Sequence, residues 1–218
     1  MNRGKIQIAF NYTFNDFAKV IRYIPKNPNI ILEAGTPLIK YEGIKVISKM
    51  RSLWSGEICA DMKIADGAHE EVLMAKQAGA TSVTVLGNSS VETLKIFVDS
   101  CTKLNITSIV DMISNEKPLK TLWKANVVPE MVYIHRGRDE ENSFGKILQY
   151  KDISMLKGKW DLKAGAAGGM DKRELQSAIF NSADVVVVNI VRPSDSWKGI
   201  VFDSQFRTNL EDFLRFVA

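Results

Sequence analysis

Short apolar runs recur along the chain at nearly even spacing, and most are closed by a polar residue. They fall at Ile6–Phe10, Ile30–Glu33, Ile58–Asp61, Ser82–Leu86, Ile106–Asp111, Met131–His135, Leu162–Ala166 and Val185–Asn189. Their length and their Val and Ile content are those of buried strands. Between the runs, apolar residues return at intervals of three and four. Phe14, Phe17, Val20 and Ile21 form one such stripe, and Leu175, Ala178 and Ile179 another. Each predicts a helix with one buried face. Ser89 with Glu92, and Asp171 with Glu174, have capping-box spacing and mark helix starts.

Eight strands alternating with helices over 218 residues leave about 27 residues per unit. That suffices for a single-domain (β/α)8 TIM barrel over residues 1–218. The rival is an open, doubly wound parallel sheet. The count of eight favours the barrel, and so do the strand ends. Asn11, Glu33, Asp61, Asp111, His135 and Asn189 all sit at carboxyl ends, which converge on one mouth in a barrel. No linker or low-complexity stretch argues for a second domain.

Composition narrows the function classes. Hydrophobic residues at 45% and charged residues at 25% describe a soluble globular chain and exclude a disordered one. Cys59 and Cys101 lie in apolar surroundings without a Cys-x-x-Cys partner, which speaks against a metal finger or disulfide framework and fits a cytoplasmic protein. The apolar stretch before Asn11 is too short for a signal peptide, and no run approaches a membrane span. The net charge of +4 is spread among acids, with no run of five like charges, so no nucleic-acid partner is expected. A small anionic ligand such as a sugar phosphate suits a mild positive excess.

The segment Asp61-Met62-Lys63-Ile64-Ala65-Asp66 carries the densest chemistry. Asp61 and Lys63 are two apart at a strand end, so alternation puts them on one face. Carboxylates beside a lysine suit a divalent metal and a developing enolate. Asp66 could equally be the N-cap of the next helix. Glu33, on the neighbouring strand end, would add a second carboxylate oxygen for one Mg2+. His135 can act as acid or base near neutral pH. Arg138 could hold a substrate hydroxyl or a water, whereas His69 reads as a surface residue. The small-residue run Gly165-Ala166-Ala167-Gly168-Gly169-Met170 precedes the Asp171 cap, where backbone N–H groups can approach an anion. Arg192, after the last strand, could supply the countercharge. Trp54, Trp123, Trp160 and Trp197 read as packing residues, and Cys59 as core.

These motifs resemble a known family. Glu33-x-Gly35-Thr36-Pro37-Leu38-Ile39, Asp61-x-Lys63-x-x-Asp66, Ala78-Gly79-Ala80 and Val83-Thr84-Val85-Leu86-Gly87 are similar to the orotidine 5′-phosphate decarboxylase superfamily. The likeness is strongest to its branch of 3-hexulose-6-phosphate synthases and 3-keto-L-gulonate-6-phosphate decarboxylases, and it covers nearly the whole chain. Orotidine decarboxylases carry a lysine where this chain has Glu33. The resemblance implies a barrel homodimer with shared active sites, Mg2+ and a sugar-phosphate substrate. It implies Mg2+ on Glu33 and Asp61, an enediolate stabilised by Lys63, Asp66 reaching the partner's site, and proton transfer at His135. It also implies phosphate at Gly168, Gly169 and Arg192, with Asn11, Thr36, Asp111 and Arg138 around the sugar. In the synthase, the enediolate of ribulose 5-phosphate adds to formaldehyde to give hexulose 6-phosphate. The decarboxylase reaches an enediolate by losing CO2. Asp111 and Ala167 resemble the synthase, and Arg138 the decarboxylase. Asn11 stands where both usually have Asp, keeping size and an acceptor but losing the charge. A non-catalytic sugar-phosphate binder is the remaining alternative.

Overall fold

The computed structural model describes residues 4–141 and 147–216. Eight parallel strands follow one another around a closed barrel: β1 Lys5–Phe10, β2 Ile30–Ala34, β3 Glu57–Ile64, β4 Ser82–Leu86, β5 Thr107–Asp111, β6 Met131–His135, β7 Lys163–Ala167 and β8 Val185–Val191. Each pairs with the next, and β8 returns to β1 with Ile6 opposite Val186 and Ala9 opposite Asn189. The (β/α)8 barrel expected from the alternation is therefore present. A two-residue strand that the apolar pattern does not announce, β9 Ile200–Val201, adds to the outer end of β8.

The helices fill the connections. α1 Phe14–Ile21 follows β1, α2 Thr36–Glu42 and α3 Lys45–Leu53 follow β2, and α4 Ala68–Gln77 follows β3. α5 Val91–Leu104 and α6 Pro118–Ala125 follow β4 and β5, and α7 Arg138–Glu141 and α8 Lys151–Lys159 follow β6. α9 Lys172–Phe180 links β7 to β8, and α10 Phe206–Leu214 follows β9. Among the described residues, no helix is long and apolar enough to cross a membrane.

Strand alternation sorts the core into two shells. Ile6, Ile8, Leu32, Ile58, Val83, Val110, Val132, Ala166 and Val188 face outward and pack beneath the helices. Ala9, Ile31, Cys59, Ile109, Met131, Tyr133, Ala167, Val185 and Val187 fill the barrel interior. Each fully buried branched side chain stabilises the fold by roughly 1.5–3 kcal/mol. The outer shell is the larger and supplies most of that burial. The inner shell is thin, and its upper end is left to polar side chains.

Several local expectations are refined. The Asp171–Glu174 capping box forms, and a second one forms at Thr13 and Asp16. The helix after β4 begins one residue late. Ser90 is its cap, accepting the Thr93 N–H at 3.0 Å, while Ser89 donates to Ile64 O at 3.2 Å. Asp66 is no N-cap, because Gly67 holds that position in a left-handed conformation. Trp123 is 73% exposed under Lys159 rather than packed, whereas Trp54 is buried. Cys59 and Cys101 are buried free thiols, and His69 is exposed.

Candidate active site

Inward-facing positions at the carboxyl ends of the strands form the mouth. They are Asn11 just past β1, Glu33, Asp61, Thr84, Asp111, His135, Ala167 and Asn189, in order around the barrel. Most of these, with Thr36, Lys63, Arg138, Gly168 and Gly169, line a cavity of about 300 Å3. A larger hollow of about 830 Å3, lined by Met112, Ile134 and Met155, shares only His135 with this mouth and holds none of the acid–lysine cluster.

Simple alternation does not join Asp61 to Lys63. In the ladder, Ala60 pairs with Val83 and Ile64 with Val85, so Asp61, Met62 and Lys63 stand opposite Thr84 alone. β3 therefore carries two extra residues as a bulge. Lys63 absorbs the turn at φ 49°, a left-handed conformation costing a non-glycine residue roughly 1 kcal/mol or more. Thr84 holds the bulge from both sides. Its Oγ1 accepts the Lys63 N–H at 2.9 Å and donates to Asp61 Oδ1 at 3.0 Å. Thr36 Oγ1 lies 2.8 Å from Asp61 Oδ2, so the carboxylate is clamped before any ligand arrives.

The bulge delivers the Lys63 ammonium between two carboxylates. Nζ donates to Asp61 Oδ1 and Oδ2 at 2.8 and 2.6 Å and lies 3.2 Å from Asp111 Oδ2. Burial opposes the charge on Lys63, but Asp61 and Asp111 overcome it and hold its pKa far above the usual lysine value. Burial also opposes the charge of Asp111, which is nonetheless held low by His135 and Lys63. His135 Nδ1 lies 2.9 Å from both Asp111 oxygens. An acceptor-only carboxylate fixes Nδ1 as the protonated nitrogen, leaving Nε2 to exchange a proton.

Glu33 is the counterweight. Burial first, and then the Asp61 charge, push its pKa up to about 8. A chain of buried groups supports it from below: Tyr133 OH donates to Gln7 Oε1 at 2.6 Å, and Gln7 Nε2 donates to Glu33 Oε2 at 2.5 Å. Glu33 and Asp61 are hard oxygen donors, and their mutual repulsion is what a divalent cation would relieve. The donor set fits Mg2+, which takes few protein carboxylates and keeps waters or substrate oxygens. Among the described residues, no three His, Cys, Asp or Glu converge as a closed metal cage.

At the opposite rim, Gly168 and Gly169 turn at φ 101° and 55°. Arg136 is buried behind them and donates to both their carbonyls and to Glu174. Arg138 faces the cavity with its guanidinium 3.9 Å above the Trp197 ring. Asn11 donates to Asn189 Oδ1 at 3.0 Å and lies so close to Gly35 that any Cβ there would collide with it.

Two sequence candidates are not brought into this cavity. Arg192 leaves the end of β8 on the outward side, where it pairs with Asp16 at 3.0 Å and stacks 4.2 Å over Tyr12. Asp66 is exposed beyond the bulge. Conversely, Gln7, Thr84 and Tyr133 join the site unannounced. Their inward parity was the available signal, because Gln7 and Thr84 are polar residues on strands buried from both sides.

Fold and mouth together define a (β/α)8 barrel of the kind that gathers carboxylates and a lysine at its strand ends. The model of the orotidine 5′-phosphate decarboxylase / HUMPS family matches residues 4–189, and the chain belongs to that family. The bifunctional enzyme Fae/Hps of Methanocella arvoryzae is 35% identical over 176 residues, covering 78% of this chain and 44% of that protein. The chain spans about half the length of the curated relatives it matches. The crystal structure of 3-hexulose-6-phosphate synthase from Salmonella typhimurium superposes with a TM-score of 0.80 at 25% identity, over 97% of this chain and 99% of that one. The 3-keto-L-gulonate-6-phosphate decarboxylase of Vibrio cholerae shares the fold, with a TM-score of 0.72 at 22% identity over 98% and 99% of the two chains.

Proposed function

We propose that this chain is a 3-hexulose-6-phosphate synthase-like carbon–carbon lyase. The observation that carries the proposal is the Lys63 ammonium held between Asp61 and Asp111, with Glu33 beside them and His135 on Asp111. The similarity to Fae/Hps proteins and to a solved synthase supports it.

Glu33 and Asp61 would hold Mg2+, which supplies Lewis-acid polarisation of substrate oxygens when bound. Lys63 donates to the oxygen on which negative charge develops as ribulose 5-phosphate becomes an enediolate. Its charge is already desolvated and fixed, so little reorganisation accompanies the step. His135 Nε2 exchanges the proton, and Asp111 orients the ring and balances the imidazolium. The enediolate carbon then forms a bond to formaldehyde, giving hexulose 6-phosphate, and the reverse reaction releases formaldehyde. Gly168 and Gly169 receive the phosphate. Asn11 and Asn189 offer neutral amides to the sugar hydroxyls. A homodimer would carry Asp66 to the partner's mouth, and sizing by light scattering tests that point.

The second reading is decarboxylation of 3-keto-L-gulonate 6-phosphate, favoured by Arg138 in the cavity wall, where it could place a proton-donating water. Purified protein with Mg2+, ribulose 5-phosphate and formaldehyde should consume formaldehyde, and EDTA or Lys63→Ala should stop it. CO2 release from the gulonate substrate alone would install the second reading. Silence in both, with ribulose 5-phosphate still bound, would mean a non-catalytic binder.

A further inference from the structure

The turn after β7 and the loop after β8 meet at the rim where the proposed function seats the phosphate. A carboxylate of this chain already lies there. Glu141, the last residue of α7, accepts the backbone N–H of Lys198 through Oε1 at 2.8 Å. Its carboxylate rests against the backbone of Gly169, where a Cβ would collide with all three carboxyl atoms. The missing side chain at Gly169 is what lets the Glu141 carboxylate lie against this turn.

The donors and cations around the turn are engaged with other acceptors of this chain. The nearby α9 N-terminus is closed by Asp171, which accepts the Arg173 and Glu174 N–H groups at 2.9 Å. The Lys198 ammonium is drawn to Glu174 at 3.1 Å and Asp171 at 3.4 Å. The Arg136 guanidinium donates to Gly168, Gly169 and Glu174 from behind. Arg192, the countercharge expected for a phosphate, is turned away on Asp16. A phosphate carrying about −1.5 to −2 charge cannot share the Gly169 turn with a carboxylate.

We propose that Glu141 is a specificity-determining residue: its carboxylate occupies the phosphate seat as an internal anion, and a phosphorylated ligand binds only by displacing it. The proposal rests on the Gly168–Gly169 turn being the phosphate seat. Apparent affinity is then the intrinsic affinity scaled by the fraction of molecules whose seat is vacated. The scaling applies to phosphorylated ligands and leaves the bare sugar untouched.

Calorimetric titration of ribulose 5-phosphate, inorganic phosphate and unphosphorylated ribulose into wild type, Glu141→Gln and Glu141→Ala tests this. Glu141→Gln removes the charge, and Glu141→Ala also clears the volume. Both should tighten the two phosphorylated ligands roughly tenfold, the scale of one charge-assisted hydrogen bond, and leave ribulose unchanged. A wild type that prefers the phosphorylated sugar, with variants that bind it equally or more weakly, overturns the role of Glu141 alone. Absence of any phosphate preference in all three proteins overturns the phosphate seat and the proposal together. Tightening of ribulose by the same factor also overturns it, since the effect would not be on phosphate.

Discussion

Thr84→Val tests the bulge that delivers Lys63. The substitution keeps the volume and exchanges one hydroxyl for a methyl at a position only 1% exposed. Two hydrogen bonds go with it: the Lys63 N–H at 2.9 Å loses its acceptor, and Asp61 Oδ1 loses a donor at 3.0 Å. A buried donor left without a partner costs about 1–3 kcal/mol, and a hydrogen bond to a charged group contributes about 1.5–3 kcal/mol. Asp61 keeps Thr36 and the Lys63 ammonium, so part of the second loss is recovered. The net expectation is about 2–4 kcal/mol of stability, which for a chain of 218 residues lowers Tm by roughly 5–15 °C. Turnover should fall further than stability predicts. Among the described residues, Thr84 is the one hydroxyl that holds the Lys63 N–H at its positive φ, and a displacement near 1 Å at a reacting group can cost about 100-fold. Thr84→Ser keeps the hydroxyl and should restore most of both. Urea unfolding and formaldehyde consumption, measured on the three proteins, decide the matter. A Thr84→Val protein with wild-type midpoint and wild-type kcat would refute the claim that Thr84 holds the bulge.

Two further outcomes follow from the buried groups. Glu33 has its pKa raised by burial and Asp61 from 4.5 to about 8, so the folded state keeps a proton that the unfolded chain releases. Its contribution to stability is therefore full below 4.5, falls as pH rises towards 8 with a slope of up to roughly 1.4 kcal/mol per pH unit, and levels off above. Since Mg2+ requires the ionised carboxylate, the rise in Tm on adding Mg2+ should grow between pH 6 and pH 8 and lose that pH dependence in Glu33→Gln; a pH-independent Mg2+ shift in wild type would contradict it. Tyr133→Phe removes the donor that fixes the Gln7 amide, and should weaken Mg2+ binding by roughly three- to tenfold in a folded protein while leaving the sugar affinity without metal unchanged; unaltered metal affinity would show that the Gln7 link acts only in packing.

Alternation is what made the mouth legible. Polar residues at the ends of apolar runs, Glu33, Asp61, Asp111 and His135, point inward for the same reason that Ile31, Cys59, Ile109 and Tyr133 do. The barrel's closure brings the eight strand ends to one mouth, so the strand count and the alternation together place these side chains. What stayed hidden needed information that period two does not carry. A bulge of two residues preserves parity, so Asp61 and Lys63 read as a plain strand pair whether or not Thr84 pins them. Gln7, between Ile6 and Ile8, is a lone polar residue whose parity marks it as opposite to the apolar face, and only closure of the barrel shows which groups meet it inside. Nearness of Arg192 to the last strand end in sequence does not set its orientation. Counting from the inward Asn189 puts it on the opposite parity, towards α1. Glu141 comes from α7, far from the Gly168–Gly169 turn in sequence, and only the meeting of two loops reveals it.

Charge balance decides how the loss of activity in Lys63→Ala must be interpreted. Three carboxylates surround one ammonium, and the excess is eased by burial and Asp61 raising the Glu33 pKa and by the pairing of Asp111 with His135. Removing Lys63 leaves Asp61 and Asp111 buried and facing each other, so the variant should take up a proton or unfold before chemistry is considered. Inactivity in a destabilised Lys63→Ala protein would thus say nothing about an oxyanion. The informative case is the variant assayed with saturating Mg2+. A second cation at Glu33 and Asp61 replaces the missing charge without replacing the donor. If Mg2+ restores the wild-type Tm to Lys63→Ala while formaldehyde consumption stays more than about 1000-fold down, the ammonium acts on the developing oxyanion. If activity returns with stability, Lys63 is a counter-ion, and the enediolate must find its stabilisation elsewhere in the mouth.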